Sequence, residues 1–376
     1  MIRLSKSVVG AREKEAAGKA IDDGYLGMGS FVKEFEERLG GYLGVNNVMC
    51  VNSGTAALHL GLMGAGIKRG DEVLVQSLTF VGSFQAITAT GARAIPCEVV
   101  PATCAIDLKD AKKKMTAKTR AIMPVHYASR PGHIDEIYAF ARRHGLRVIE
   151  DAAHAFGTIH QGKKIGSFGD IVCFSFDGIK NITAGEGGAV ITQDAGVAER
   201  VKDARLVGVH KDTEKRYQGQ RSWQFDVFHQ GYRYHMSNIN AAIGMVQLER
   251  LEKEFKPARQ KLARKYNDLL DGVEEVSLFE DDYSDTLPHI YVIRVKGGRR
   301  DALKGYLADK GIETGIHYYP NHYLTYFGKG KWRLPVTEGV YQEILSLPLH
   351  PAVTSAEQKY IAAEIKKFFK QAAAHV

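Results

Sequence analysis

A single lysine, Lys180, lies in the stretch FSFDGIKNITAGEGG, between Ser175 and the glycines Gly185, Gly187 and Gly188. The residues before it, DIVCFSF, are apolar and rich in β-formers, so they read as a buried strand. No helix period continues beyond them, which puts the lysine at the mouth of that strand. Two earlier stretches offer complementary chemistry. In NSGTAAL, Asn52 to Leu58, a strand ends, Ser53 and Gly54 turn the chain, and a helix starts at about Thr55. The free N–H groups and the dipole of a helix start attract an anion such as phosphate. In VIEDAAHAFG, Val148 to Gly157, Asp151 leaves a strand at its carboxyl end, with His154 shortly after it. Each signal alone has an ordinary alternative: a helix start with no ligand, an acid capping a turn, a histidine in a structural hydrogen bond, an exposed turn lysine. Together they are the parts needed to hold pyridoxal phosphate. The helix start takes the phosphate, the acid keeps the ring nitrogen protonated, and the lysine forms a Schiff base.

These stretches act together only if the surrounding elements bring them to one place. Over the first two-thirds of the chain, strands alternate with helices. NNVMCVNS, DEVLVQS, ARAIPCEVV, RAIMPVH, LRVIED, DIVCFSF and GGAVITQ read as strands. GTAALHLGLMGAGI, a segment starting near Phe80, DLKDAKKKM and IDEIYAFARRHG read as helices. In the last of these, Ile134, Ile137, Tyr138 and Ala141 recur at helical spacing and Gly145 closes the helix. Unalternated apolar strands separated by helices predict a three-layer α/β domain whose mostly parallel sheet is covered on both faces. Ligands bind such sheets beyond the carboxyl ends of the strands, which singles out Ser53, Asp151 and Ser175.

A long helical stretch begins near Ser237, with Ile239, Ala242, Ile243 and Val246 on one face, and Pro257 should kink or interrupt it. Beyond it HIYVIRV and IETGIHYY read as strands and RDALKGYLADKG as a helix. A closing helix opens with a capping box, Thr354 with Glu357 or Ser355 with Gln358. The expected division is a large α/β domain over 1–249, including an N-terminal arm, and a smaller α+β domain over 250–376.

Composition narrows the setting. The chain has 376 residues, 44% hydrophobic and 25% charged, as in soluble globular proteins. The N-terminal residues lack the apolar core and cleavage pattern of a signal peptide. No uncharged apolar run approaches the ~20 residues of a membrane helix. Cys50, Cys97, Cys104 and Cys173 show neither CxxC nor metal-ligand spacing and read as small core residues in a reducing cytoplasm. The net charge of +8 raises the question of an anionic partner. The densest basic run, Ala111 to Arg120, falls at a helix end, where cations complement the dipole. With no nucleic-acid-binding motif, a nucleic-acid partner is not expected. GIHYYPNHYLTYF, Gly315 to Phe327, is dense in histidine and tyrosine, yet His317 and His322 lack a matching acidic or cysteine partner, so no metal is expected.

The ordered set NSGTAALHLGL, GDEVLVQSLTFVGS, AIMPVHYA, VIEDAAHAFGT, FSFDGIKNITAGEGG and YRYHMSNINAAIGMVQL resembles the DegT/StrS family of sugar aminotransferases, which are fold-type I pyridoxal-phosphate enzymes. The resemblance covers nearly the whole chain. It implies that Lys180 binds the cofactor aldehyde and moves the proton between substrate carbon and cofactor. Asp151 would pair with the pyridinium nitrogen, His154 would lie near the ring oxygen, and Phe80 would stack on the ring. Gly54, Thr55 and Ser175 would hold the phosphate, with the glycines after Lys180 letting the loop pass close to cofactor and substrate. The family works as a homodimer with shared sites, so His235 in YRYHMSN would reach the neighbouring phosphate, where many relatives have asparagine or arginine. Asp177 also departs from the residues usual at its place. His317 and Tyr318 would line the sugar site.

The reaction so implied takes an amino group from L-glutamate, leaving 2-oxoglutarate. It delivers the group to a keto carbon of a nucleotide-linked keto-deoxy sugar bound for surface polysaccharide, such as O-antigen, or for a glycosylated natural product. Two rivals stand beside it. A sugar dehydratase of the same family uses pyridoxamine phosphate and commonly carries histidine in place of the lysine, so Lys180 argues against it. A catalytically silent sensor or scaffold of this fold usually carries a fused DNA-binding domain, for which the chain leaves no room.

Overall fold

In the computed structural model, which describes residues 1–373, seven strands form a central sheet. They are β1 (Val48–Val51), β2 (Glu72–Gln76), β3 (Arg93–Cys97), β4 (Thr119–Met123), β5 (Arg147–Asp151), β8 (Ile171–Ser175) and β9 (Gly188–Thr192). A small hairpin, β6 (Ile159–His160) with β7 (Lys163–Lys164), interrupts the series. The order across the sheet is β1-β9-β8-β5-β4-β2-β3. Every pair from β8 to β3 is parallel, and only β9 runs against its two neighbours. The carboxyl ends of β1, β5 and β8 therefore share one rim, as the parallel-sheet rule requires.

Alternate residues of the strands feed opposite faces. Met49, Val51, Ile149, Ile171 and Cys173 pack under α3 (Gly54–Gly64), α4 (Val81–Ala89) and α7 (Ala195–Ala204). On the other face, Val48, Cys50, Val172 and Phe174 pack with α2 (Ser30–Leu43) and α9 (Asn238–Arg250), and α1 (Ala11–Asp22) lies on α9. Leu74, Ile122 and Val148 continue that face under α5 (Leu108–Lys114) and α6 (Ile134–His144). The three layers are those expected. Gly145 ends α6 in a left-handed turn (φ 64°), a conformation cheap only for glycine. All four cysteines are buried and free.

After the short α8 (Thr213–Tyr217), α9 passes through a π-turn at Leu251–Phe255 into α10 (Lys256–Leu270). Pro257 sits in the first turn of α10, so the interruption expected there is a π-turn placed just before the proline. A second, antiparallel sheet orders β10 (Val276–Leu278), β11 (Tyr291–Val295) and β12 (Ile344–Leu347). Its core joins Tyr291, Ile293 and Leu345 to apolar residues of α10, of α11 (Arg300–Asp309) and of α13 (Ser355–Ala373). Helix α12 (Pro335–Glu343) leads directly into β12. Of the two capping boxes weighed for α13, the geometry forms the first: Glu357 accepts from Thr354 N, and Glu357 N donates to Thr354 Oγ1. The N-terminal residues lie along this second unit. Ile2 exchanges backbone hydrogen bonds with Gly311 and Glu313, and Leu4 accepts from Leu349.

Two local expectations change. IETGIHYY is not a strand: it makes single bridges only, Ile312 with Ile2 and Gly315 with Ser346. Its backbone is drawn toward the large sheet, where Tyr127 donates to the His317 carbonyl and the Asn321 amide donates to the carbonyls of Ser77 and Thr79. In α9 the buried residues are Asn238, Ala241, Ala242, Gly244, Met245 and Gln247, while within one chain Ile239, Ile243 and Val246 are half-buried. A Cβ on Gly244 would stand 2.6 Å from the Phe35 ring, so close contact with α2 turns the small residues inward.

Candidate active site

The rim assembles from strand ends. At the end of β1, Ser53 caps α3 by accepting from Ala56 N at 3.1 Å, which leaves the remaining N–H groups of the first turn facing outward. Gly54 comes so close to Ser175 that a Cβ there would lie 2.7 Å from the Ser175 Cβ. Gly188, at the start of β9, pairs with both Val51 and Ser175, and a Cβ on it would meet the Ser53 carbonyl at 2.5 Å. That glycine serves the approach of chain to chain, fixing the α3 start against the end of β8. Gly82 plays the same part for α4: its missing Cβ would lie 2.9 Å from Thr55 Oγ1 and 3.1 Å from the Phe80 ring. Gly54, Thr55, Ser175 and Phe80 thus gather at the first-turn N–H groups of α3. Phe80 is the N-cap residue of α4, and 56% of it is exposed.

Asp151 ends β5 in a buried position. Ser83 donates to its Oδ2 at 2.6 Å and Ala153 N to its Oδ1 at 3.2 Å, and among the described residues it forms no salt bridge. Burial raises its pKa, against those two hydrogen bonds and the charges of Lys180 and His126. Lys180 follows β8 through a turn shaped by Asp177, whose carboxylate accepts from Ile179 N and whose carbonyl accepts from Lys180 N. That turn is the structural use of the unusual Asp177. Burial lowers the Lys180 amine to about 8, although Asp151 and Asp177 act to raise it. The amine lies 3.4 Å from Nε2 of His289.

Three histidines lie around this lysine, His154 and His289 buried and His317 half-buried. His154 Nε2 bonds the Tyr318 hydroxyl at 2.8 Å, and the His154 and His289 rings lie 4.5 Å apart. His317 Nδ1 bonds Ser346 Oγ at 2.7 Å. Burial, then the Lys180 charge, holds all three below the usual histidine range, His317 at about 4. Tyr318 stands 5.8 Å from the Phe80 ring. Burial, reinforced by Asp151 and Asp177, raises its hydroxyl. Lys180, Asp151, His154, Tyr318, Phe80 and the α3 start are therefore linked contact by contact. His235 is not part of that set within one chain. Its backbone bridges Val51, and its ring, lowered to about 4 first by burial, has Arg233, Arg205 and Arg216 as charged neighbours.

This assembly at the carboxyl rim of a seven-stranded sheet coincides with a sequence match. Residues 8–366 match the profile of the DegT/DnrJ/EryC1/StrS aminotransferase family. The chain belongs to that family. Among curated relatives, the uncharacterized protein MJ1066 of Methanocaldococcus jannaschii is 34% identical over 375 residues, covering 96% of each chain. Among solved structures, the aminotransferase TlmJ of Streptoalloteichus hindustanus superposes with a TM-score of 0.92 at 30% identity, over 99% of this chain and 100% of that one. The putative sugar aminotransferase Spr1654 of Streptococcus pneumoniae, in its PMP form, gives 0.91 at 25% identity, over 99% and 98%.

Aminotransferases of the DegT/DnrJ/EryC1/StrS family use pyridoxal phosphate, and the residues present fit it. The α3 start is a cradle that a Cβ at Gly54 would fill. Asp151 keeps acceptor capacity free, since each oxygen has a single donor. His154 Nδ1 is buried with no partner among the described residues. Among the described residues no cluster could hold a metal. His322 does have an acidic neighbour, contrary to expectation: Glu338 lies 3.1 Å from its Nε2, while Ser77 Oγ occupies its Nδ1 at 2.8 Å. With both nitrogens engaged, His322 ties the 321–327 segment to the large sheet.

Sequence reading missed His289, Ser83 and Asn181. Ser83 lies one helical turn from Phe80, so an α4 facing the rim signals it. Asn181 follows Lys180, and its amide donates to the carbonyls of His154, Phe156 and Leu287. His289 had one weak signal, its place at the start of the HIYVIRV stretch, two residues before β11.

Proposed function

We propose that this chain transfers an amino group from L-glutamate to a keto carbon of a nucleotide-linked keto-deoxy sugar, with pyridoxal phosphate held by Lys180. The observation that carries the reading is a lysine amine lowered to about 8, set on the same rim as a buried carboxylate without a cation and a helix start cleared by glycine. The sugar as acceptor is supported by two similar structures, the sugar aminotransferase CalS13 of Micromonospora echinospora at 30% identity and the putative sugar aminotransferase Spr1654 at 25%.

When bound, the cofactor supplies an electron sink for the pair left by a breaking C–H bond. The α3 N–H groups, with Thr55 and Ser175, hold its phosphate. Asp151 holds a proton on the ring nitrogen, and the field of that carboxylate, strengthened by burial, keeps it there. Lys180 would hold the cofactor covalently and, when free, would take a proton from the substrate carbon and return it. A base titrating near 8 can do both close to neutrality. Phe80 would cover the ring, His154 would lie near its oxygen, and His317 with Tyr318 would wall the sugar side. In a homodimer, His235 of each subunit completes the other's phosphate site. Its neutral ring keeps one N–H to donate.

The test has two parts. Borohydride reduction of the yellow protein followed by peptide mapping should place the label on Lys180. Glutamate should bleach the colour, and the bleached form should aminate one member of a panel of nucleotide keto-sugars in a single turnover. A label elsewhere removes Lys180 from its role, and bleaching with no sugar accepted removes the acceptor class. Mixing Lys180→Ala subunits with His235→Ala subunits should restore activity where each alone is impaired. No recovery in proven heterodimers would end the shared-site arrangement.

A further inference from the structure

The three histidines around Lys180 are not equivalent. Nε2 of His154 is occupied by the Tyr318 hydroxyl, and Nδ1 of His317 by Ser346. Only His289 turns a ring nitrogen to the lysine, 3.4 Å from Nζ, and this is the one hydrogen bond its side chain makes among the described residues. His289 Nδ1 is buried without a partner among the described residues, so the ring has not been placed to satisfy itself elsewhere.

The backbone that carries this ring is fixed on both sides. His289 N donates to Ser129 Oγ at 2.9 Å, and Ser129 in turn donates to the His154 carbonyl at 2.5 Å. The His289 carbonyl accepts from Arg259, which is buried and also bonds the carbonyls of Pro288 and Leu349. Asn181, adjacent to Lys180, bonds the carbonyls of His154 and Leu287. Lysine and histidine thus come from different sheets but share one rigid frame. A four-carbon side chain carries much rotamer freedom, and a fixed acceptor at its tip removes most of it.

We propose that His289 is the positioning residue of Lys180: its Nε2 accepts a hydrogen bond from the amine and holds Nζ at the rim whenever the lysine is not covalently engaged. The inference rests on the functional reading above, and it adds a residue from the second sheet to the site. The charged and titratable groups facing the pair are Asp151 from β5, Asp177 from the lysine's own turn, and His154, His317 and Arg259 around His289. None of these is placed to accept from Nζ in the way His289 is.

The test uses the full-length protein stripped of cofactor. The rate at which Lys180 captures added pyridoxal phosphate is read from its visible absorbance. The affinity for pyridoxamine phosphate, which has no aldehyde to capture, is read by calorimetry. His289→Leu should capture about tenfold more slowly, the loss expected for one hydrogen bond to a charged group. Pyridoxamine phosphate should bind it as it binds wild type. His289→Gln, which sets an acceptor oxygen near the place of Nε2, should recover most of the rate. If the leucine variant does not fold, His289→Asn replaces it, since its shorter reach should leave capture equally slow. Equal rates in all variants with the label on Lys180 overturn this inference alone, as does a glutamine variant as slow as leucine or asparagine. No label on Lys180 in wild type overturns the functional reading and this inference with it.

Discussion

Two clusters of buried charge lie within this fold, and they are built on opposite principles. Around Arg205 the charge is answered by Glu36, although the Arg205 Nε has no partner among the described residues. Its guanidinium donates to Glu36, to the Cys50 carbonyl and to the Tyr217 hydroxyl, while Glu36 also accepts from Cys50 N and from Tyr217. Glu36 and Tyr217 together raise the Arg205 pKa against the cost of burial. Around Lys180 the balance is reversed. Burial outweighs the two aspartates and lowers the amine to about 8, Asp151 is raised, and the histidines are lowered. A charge that is fully paired holds structure together. Charges left incompletely paired stay close to neutrality, where protons move, and can accept a partner that arrives later.

The contrast predicts four outcomes. The largest is Lys180→Met, which should lower turnover by ~10⁴-fold or more, because no other group is placed to move the proton. Single-turnover bleaching with glutamate measures it. Next, Glu36→Gln should destabilise the fold by about 3–5 kcal/mol in urea, since it leaves Arg205 buried without a counter-charge. Turnover per folded molecule should not change, and a loss of turnover with stability intact would erase the distinction between the clusters. Asp151→Asn should fold normally and lose about 10²-fold in rate, read by steady-state kinetics. Wild-type rates would make Asp151 a turn cap.

The smallest effect has the opposite sign. In the cofactor-free protein the Lys180 amine titrates near 8 when folded, against 10.5 as its ordinary value. Between these values the unfolded chain holds a proton that the folded chain has lost, so stability climbs as pH rises through that window. Lys180→Met has no such group. It should melt a few degrees above wild type at pH 7, and the gap should close toward pH 10. A gap independent of pH would mean that the amine is not strained by burial.

The sequence made one class of position readable. Ser53, Asp151 and Ser175 stand at strand ends, and a parallel sheet brings its carboxyl ends together whatever the side chains are. Lys180 followed because it lies one turn beyond the end of β8. What stayed hidden depends on contacts between segments far apart in the chain. His289 meets a lysine 109 residues away, and Asn181 bonds a carbonyl 106 residues away. No periodicity encodes which loop a lone polar residue will face. IETGIHYY carried β-forming residues but was drawn off by bonds from Tyr127 and Asn321, a tertiary effect that overrides local preference.

The Asn181 amide also bears on the order in which the chain takes shape. All seven strands of the large sheet lie before residue 193, so that sheet can form while the remainder of the polypeptide is still being made. Asn181 has two of its carbonyl partners by then, His154 and Phe156, but the third belongs to Leu287. A nascent chain therefore carries a finished sheet with an unfinished loop at its rim until the segment around Leu287 has emerged from the ribosome and docked. Such long-range closure is slow compared with local contacts. Competence to capture a cofactor at Lys180 should thus arrive as one of the last events of biosynthesis, well after the sheet that displays the lysine.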